Sequence, residues 1–253
     1  ELTGYDSLEQ TVTISNSGTV DLSWSIQGYL NNSIQMDRYP QSFYELLPKG
    51  AVDSRVGRDV SINSGGPDQH GYNWVDSDEE GGLAFDWIDI STTGTAVTGI
   101  SDDNFAGPFN LGFSFSFYGE MFEQFYIASN GFIGFGPTDN YQAQNNDPLP
   151  KISAPNNIIA WCWDDLAIRS GKIYYQSFEK YTIIQFEDYG EYGAEGTVDA
   201  EVILFRNGTI LLQYLNFENS FDTIHASVGI ENQTGEQGLE IVFNNSFLHD
   251  SLA

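Results

Sequence analysis

The chain predicts an all-β protein: an antiparallel β-sandwich of jelly-roll type over residues 67–253, preceded by a hairpin-bearing extension over residues 1–66. Three observations carry this reading. In Phe109-Asn110-Leu111-Gly112-Phe113-Ser114-Phe115-Ser116-Phe117 every odd position is large and apolar and every even one small or polar, the pattern of a strand with one buried face. From Thr197 to Phe217 the alternation runs through Val198, Ala200, Val202 and Leu204, meets Asn207-Gly208, and resumes at Ile210, Leu212 and Tyr214. An Asn-Gly pair between alternating runs is a hairpin signal, and the expected turn is type I′ because both residues accept positive φ. No segment shows a sustained helical period capped at both ends, whereas short strand candidates separated by turn signals recur, as in sandwiches and jelly rolls.

Taken in chain order, the first element is a hairpin. Thr11 to Ile26, "TVTISNSGTVDLSWSI", reads as strand, turn, strand, with Val12/Ile14 and Leu22/Trp24/Ile26 on one apolar face, and a polar, less patterned segment follows over 31–66. A lone hairpin is marginal in water, so it is expected to pack on the main domain, on an upstream domain or on another chain. Beyond the strand at 109–117, further strands are expected near 122–128, 132–136, 157–163, 172–178, 181–187, 224–231 and 238–243.

Between the second and third of these lies Ser129-Asn130-Gly131-Phe132-Ile133-Gly134-Phe135-Gly136. A glycine-rich phosphate cradle would require a following Lys and Ser/Thr and a helix N-terminus. Neither follows, so the stretch reads as a tight turn at Asn130-Gly131 between two aromatic strands.

Composition narrows function further. With 36 Asp and Glu against 9 Lys and Arg, the net charge of -27 repels nucleic acid and anionic membrane surfaces. No apolar run approaches the ~18 residues of a membrane helix, so neither nucleic-acid binding nor membrane insertion is expected. The single cysteine, Cys162, sits in Ile158-Ile159-Ala160-Trp161-Cys162-Trp163 and reads as a buried, inert thiol. The chain begins at Glu1, with neither Met nor signal peptide, and reads as a processed or excised piece.

Several stretches carry a resemblance. "TVTISNSGTVDLSWSI" resembles the strand pair that opens many bacterial immunoglobulin-like surface modules. From residue 66 on, "GPDQHGYNWVDSDEEGGLAFDWIDI", "FNLGFSFSFYG", "FYIASNGFIGFG", "APNNIIAWCWDDL" and "ASVGIENQTGEQGLEIVF" resemble a β-rich module appended to secreted bacterial proteins, notably subtilisin-like and gingipain-like proteases. The central part is also similar to the nidogen-type extracellular domain. The resembling elements are Ser129 to Phe132, Ala160 to Leu166 and the hairpin Leu204 to Tyr214. The resemblance implies a non-catalytic extracellular module for adhesion, binding or assembly. Its partners would be a protein or carbohydrate at the cell surface, or further copies of the chain.

Two alternatives stay open. The hairpin at 11–26 would suit a filament subunit that assembles by strand addition. A glycoside hydrolase or carbohydrate-binding domain would use Asp164 and Asp165 with Glu187 and Asp188, facing a groove lined by Trp161, Trp163 and Tyr189. His70, His225 and His249 match no metalloprotease spacing.

The candidate metal ligands begin at Asp76-Ser77-Asp78-Glu79-Glu80-Gly81, which reproduces the first half of a calcium loop. Position twelve of a complete loop would be Trp87, so this is no EF-hand. The expected Ca2+ ligands are Asp76, Asp78 and Glu80, completed by Asp102 and Asp103.

Overall fold

The alternation becomes two antiparallel six-stranded sheets packed face to face in the computed structural model, which describes residues 39–60, 63–136, 143–169 and 171–253. The predicted hairpin at 11–26 lies outside the described residues. In chain order the strands are β1 Ser64–Gly65, β2 Trp74–Val75, β3 Thr95–Ala96, β4 Phe105–Phe117, β5 Glu120–Ala128, β6 Phe132–Gly134, β7 Ile158–Trp163, β8 Leu166–Ala167, β9 Lys172–Ser177, β10 Tyr181–Glu191, β11 Thr197–Phe205, β12 Ile210–Glu218, β13 Ser227–Glu231 and β14 Gly238–Phe243. One sheet runs β14-β13-β7-β6-β5-β4, and the other runs β12-β11-β10-β9-β3 with β8 on β10. β1 and β2 form a small ribbon of their own.

The odd residues of β4 point inward as the alternation predicts: Leu111, Phe113, Phe115 and Phe117 join one core with Ile184, Phe186, Val198, Val202 and Leu204 of the opposite sheet. The rings of Trp161 and Phe186 meet across the two sheets at 4.2 Å. Both sheets are also covered outside. Ala128, Phe132, Ile158 and Trp163 pack beneath Leu149, while Tyr174, Ile183 and Ile203 pack beneath Ile90. Burial on both faces explains why β7 is a continuous apolar run rather than an alternating one.

The covering segment over the second sheet is a strap held by a row of polar side chains. Gln185, Glu201 and Gln213 stand directly opposite one another on β10, β11 and β12. Their oxygens accept the backbone N–H of Ile90 at 2.7 Å, Ile88 at 3.1 Å and Asp86 at 2.8 Å. An extended segment turns every second N–H the same way, so three alternate strap residues reach three adjacent strands.

The sandwich unit begins at Tyr39, so residues 39–66, grouped by their polar composition with the extension, belong to it. Tyr39, Asp53 and Arg55 among them are bonded rather than solvated. Arg55 is buried between Asp53 at 2.6 Å and Asp147 at 3.3 Å. Asn244, just past β14, donates to Asp53 at 2.7 Å, and Gly57 N–H donates to the Asn244 carbonyl at 3.0 Å. Tyr39 donates to Glu240 at 2.8 Å.

The β11–β12 hairpin forms, but its turn is not type I′. Of the pair only Gly208 takes positive φ, +90°. Gly208 N–H donates to Phe205 O and Phe205 N–H to Thr209 O, both at 2.9 Å, which makes a three-residue loop with a left-handed glycine in third place. Asn207 Oδ1 accepts from Thr209 N–H at 3.1 Å. Gly208→Ala is therefore expected to cost ~1 kcal/mol and Asn207→Ala only about 0.5 kcal/mol, read as urea midpoints. A greater loss for Asn207→Ala would restore the type I′ turn.

Candidate functional site

The turn between β5 and β6 organises the end of the sandwich where acidic residues gather. Ser129 and Asn130 are fully buried, so each polar atom must be satisfied inside the protein. Ser129 exchanges backbone and side-chain bonds with Asn104, and its carbonyl accepts from Tyr189 Oη at 2.8 Å. Asn130 Oδ1 accepts from Leu166 N–H, and its Nδ2 donates to Asp103 Oδ1, each at 3.1 Å. Gly131, at φ +77°, lies against β7, where its carbonyl accepts from both Trp161 and Cys162 N–H. A Cβ there would stand 1.8 Å from the Cys162 carbonyl oxygen.

Asn130 thereby ties together two segments that carry carboxylates. Asp102 and Asp103 precede β4, and Asp102 bridges to Ala167 of β8. Asp165 occupies the turn from β7 to β8. Oxygens of the three carboxylates lie within 4.8 Å of one another. Lys49 Nζ reaches all three, at 2.9 Å to Asp102, 2.5 Å to Asp103 and 3.4 Å to Asp165, and stands 3.9 Å from the centre of the Tyr192 ring.

Burial and the neighbouring Asp103 and Asp102 charges push Asp165 up to about 6, against the lowering effect of Lys49. For Lys49, burial lowers the pKa, and the bonds to Asp103 and Asp102 outweigh it, so the net shift is upward. Beneath this trio, burial also raises Asp164 and Glu191. Asp222 ends below its ordinary value because its bonds to His225, at 2.6 Å, and to backbone N–H groups outweigh burial.

Of the predicted calcium ligands, Asp102 and Asp103 meet each other and Asp165. Asp76, Asp78 and Glu80 are engaged elsewhere or exposed. Asp76 is buried and its Oδ1 accepts from Asp78 N–H at 3.0 Å and Glu79 N–H at 3.2 Å, closing its own turn. Asp78 pairs with His249 at 3.0 Å, and Glu80 is exposed. Sequence reading missed Lys49, which lies more than 50 residues from the nearest of its partners. The groove expected of Trp161, Trp163 and Tyr189 does not form, since all three rings are fully buried in the core. His70 is exposed and stacks on Tyr72.

A two-sheet sandwich pinned by a buried Ser-Asn-Gly turn, with an aspartate knot at its end, is an all-β module. The family described as NIDO related matches residues 78–249, more than half of the chain, and the chain belongs to that family. No curated protein and no solved structure matches it.

Two outcomes follow from the geometry. Gly131→Ala is expected to prevent folding or cost more than ~3 kcal/mol, because backbone rather than a flexible side chain blocks the Cβ. A soluble Gly131→Ala chain with an unchanged melting temperature would refute this. The second concerns Asp165, whose folded pKa of about 6 lies above the ordinary 3.8. The folded chain therefore holds the extra proton between those values, and the stability this gives is lost as pH rises through 6. Asp165→Asn should melt above the parent at pH 7.5, with the gap closing below pH 4 in thermal scans.

Proposed function

We propose that this chain is a non-catalytic extracellular module for adhesion, binding or assembly within a larger surface or secreted protein. The observation that carries the reading is membership of the NIDO-related family across the sandwich. The sequence likeness to appendages of secreted bacterial proteases is in keeping with it. So is the placement of the Ser129-to-Phe132 element, whose Ser129 and Asn130 side chains are engaged in holding the fold. The net charge of -27 favours a soluble module that engages neutral or cationic partners rather than nucleic acid.

Among the described residues no helix is long and apolar enough to cross a membrane. Location is the direct test. An antibody against the folded module should label intact native cells or their medium, and brief protease treatment of intact cells should remove the signal. Recovery of the native polypeptide only from the cytoplasm would overturn the reading.

Calcium enters this proposal through the aspartate knot, with Asp165 taking the place first expected of Asp76, Asp78 and Glu80. Hard carboxylate oxygens suit Ca2+, and the ammonium of Lys49 already stands among them, so metal and lysine compete for one position. Calcium should raise the melting temperature relative to sodium at equal ionic strength, and the rise should be larger in Lys49→Met. Identical melting in calcium and in chelator for both proteins would remove the metal from the account.

A further inference from the structure

Residues 45–52 project from the sandwich as a loop, and Arg55 fastens the chain on both sides of it. The guanidinium donates to the Phe43 carbonyl at 2.6 Å and pairs with Asp53 at 2.6 Å. Between these anchors Leu46 is 85% and Val52 90% exposed, and Glu45, Pro48, Gly50 and Ala51 are exposed as well. None of the eight residues packs against a buried cluster. At the tip Ala51 N–H donates to Pro48 O at 2.9 Å, closing a tight turn through Lys49 and Gly50, with Gly50 at φ +71°. A Cβ on Gly50 would have open space around it.

Beyond its own turns, and among the described residues, this loop is bonded to the rest of the chain at two points. Asn145 Nδ2 donates to Leu47 O at 2.7 Å, and Lys49 Nζ reaches Asp102, Asp103 and Asp165. Lys49 is thus the one side chain of the eight that is tied down.

Exposed loop tips are where folded chains are nicked. A protease also draws the side chain before the scissile bond into a specificity pocket, so a lysine-specific one needs Lys49 out of the aspartate knot. The tie that hides this side chain is the same tie that holds the loop.

We propose that Lys49-Gly50 is a latched processing site: a lysine-specific endoprotease cuts this bond once the Lys49 ammonium leaves Asp102, Asp103 and Asp165. Water adds across the peptide bond, leaving a carboxylate on Lys49 and an amine on Gly50. Whatever takes the carboxylates from Lys49 opens the site. Chain connectivity gives the cut its consequence. The sandwich unit begins at Tyr39, and residues 1–38 fall outside it, so hydrolysis after Lys49 severs the peptide link between them and the bulk of the sandwich. Residues 39–49 then stay attached through contacts such as Tyr39 with Glu240 and the rings of Tyr39 and Phe43 with Phe243. The inference goes beyond the binding-module reading and depends on neither that reading nor calcium.

The test uses the full chain, with trypsin as the probe and fragments followed by mass. Cleavage reports the population of the open loop, so fragment 50–253 should appear at least about tenfold faster from Asp102→Asn/Asp103→Asn than from the parent, and should then persist. Asparagine keeps the size and one acceptor oxygen of each aspartate, so Asn130 retains its partner. Lys49→Met gives a second readout with elastase, which needs no lysine: cleavage after Ala51 should be about tenfold faster than in the parent, because the loop itself is loose. Equal rates in either comparison would overturn the proposal. So would first cuts inside the sandwich strands in both variants, which would mean that the knot holds the fold and not the loop.

Discussion

The contact of Gly131 with β7 is the constraint on which the sandwich depends. Its carbonyl takes two N–H groups, from Trp161 and Cys162, and two donors on one acceptor mark a bulge in β7. The register of β13 on β7 shifts at the same place. The extra residue turns both Trp161 and Cys162 into the central core, while Trp163 goes to the outer cluster. Trp161 then packs on Phe186 of the facing sheet, and its carbonyl accepts from Tyr214 Oη. Tyr189 of β10 returns a bond to Ser129 of the same turn. Both sheets are therefore fastened to one glycine that cannot carry a side chain.

The strands were legible where alternation was long. β4, β11 and β12 announce themselves because their alternate residues line the central core, and β7 because its length and flanks suit a strand even without alternation. β1, β2, β3 and β8 have two residues each, too few to show any period. The sandwich boundary was hidden for another reason. Arg55, Asp53 and Asn244 look like solvent-facing residues one at a time, and only the fold shows that they satisfy one another. The aspartate knot was half legible. Asp102-Asp103 and Asp164-Asp165 stand out as pairs, but no local pattern joins them to each other or to Lys49.

The scarce cations are placed with economy. The chain holds only 9 Lys and Arg, and three of them sit inside carboxylate groups: Lys49 in the knot, Arg55 between Asp53 and Asp147, and Lys151 on Asp147 at 2.5 Å. For Asp53, burial raises the pKa and the bonds to Arg55 outweigh it, so the net value falls. Asp147 stays raised by burial despite Lys151 and Arg55. Removing such a cation leaves a desolvated carboxylate uncompensated, which costs far more than the loss of an exposed pair.

The polar row beneath the strap behaves as an error-detecting code for the second sheet. Gln185, Glu201 and Gln213 line up only when β10, β11 and β12 are paired in the observed register. A slip of one residue turns a strand's side chains to the other face, and the neighbours that would replace them are Ile184 or Phe186, Ala200 or Val202, and Leu212 or Tyr214. None of these ends in an acceptor suited to the strap, and each orphaned N–H would cost ~1–3 kcal/mol. Closure of the strap therefore certifies three strands at once. A mispaired sheet would stay open there, exposed to proteases, and newly made chains would be sorted by whether a single five-residue segment can close.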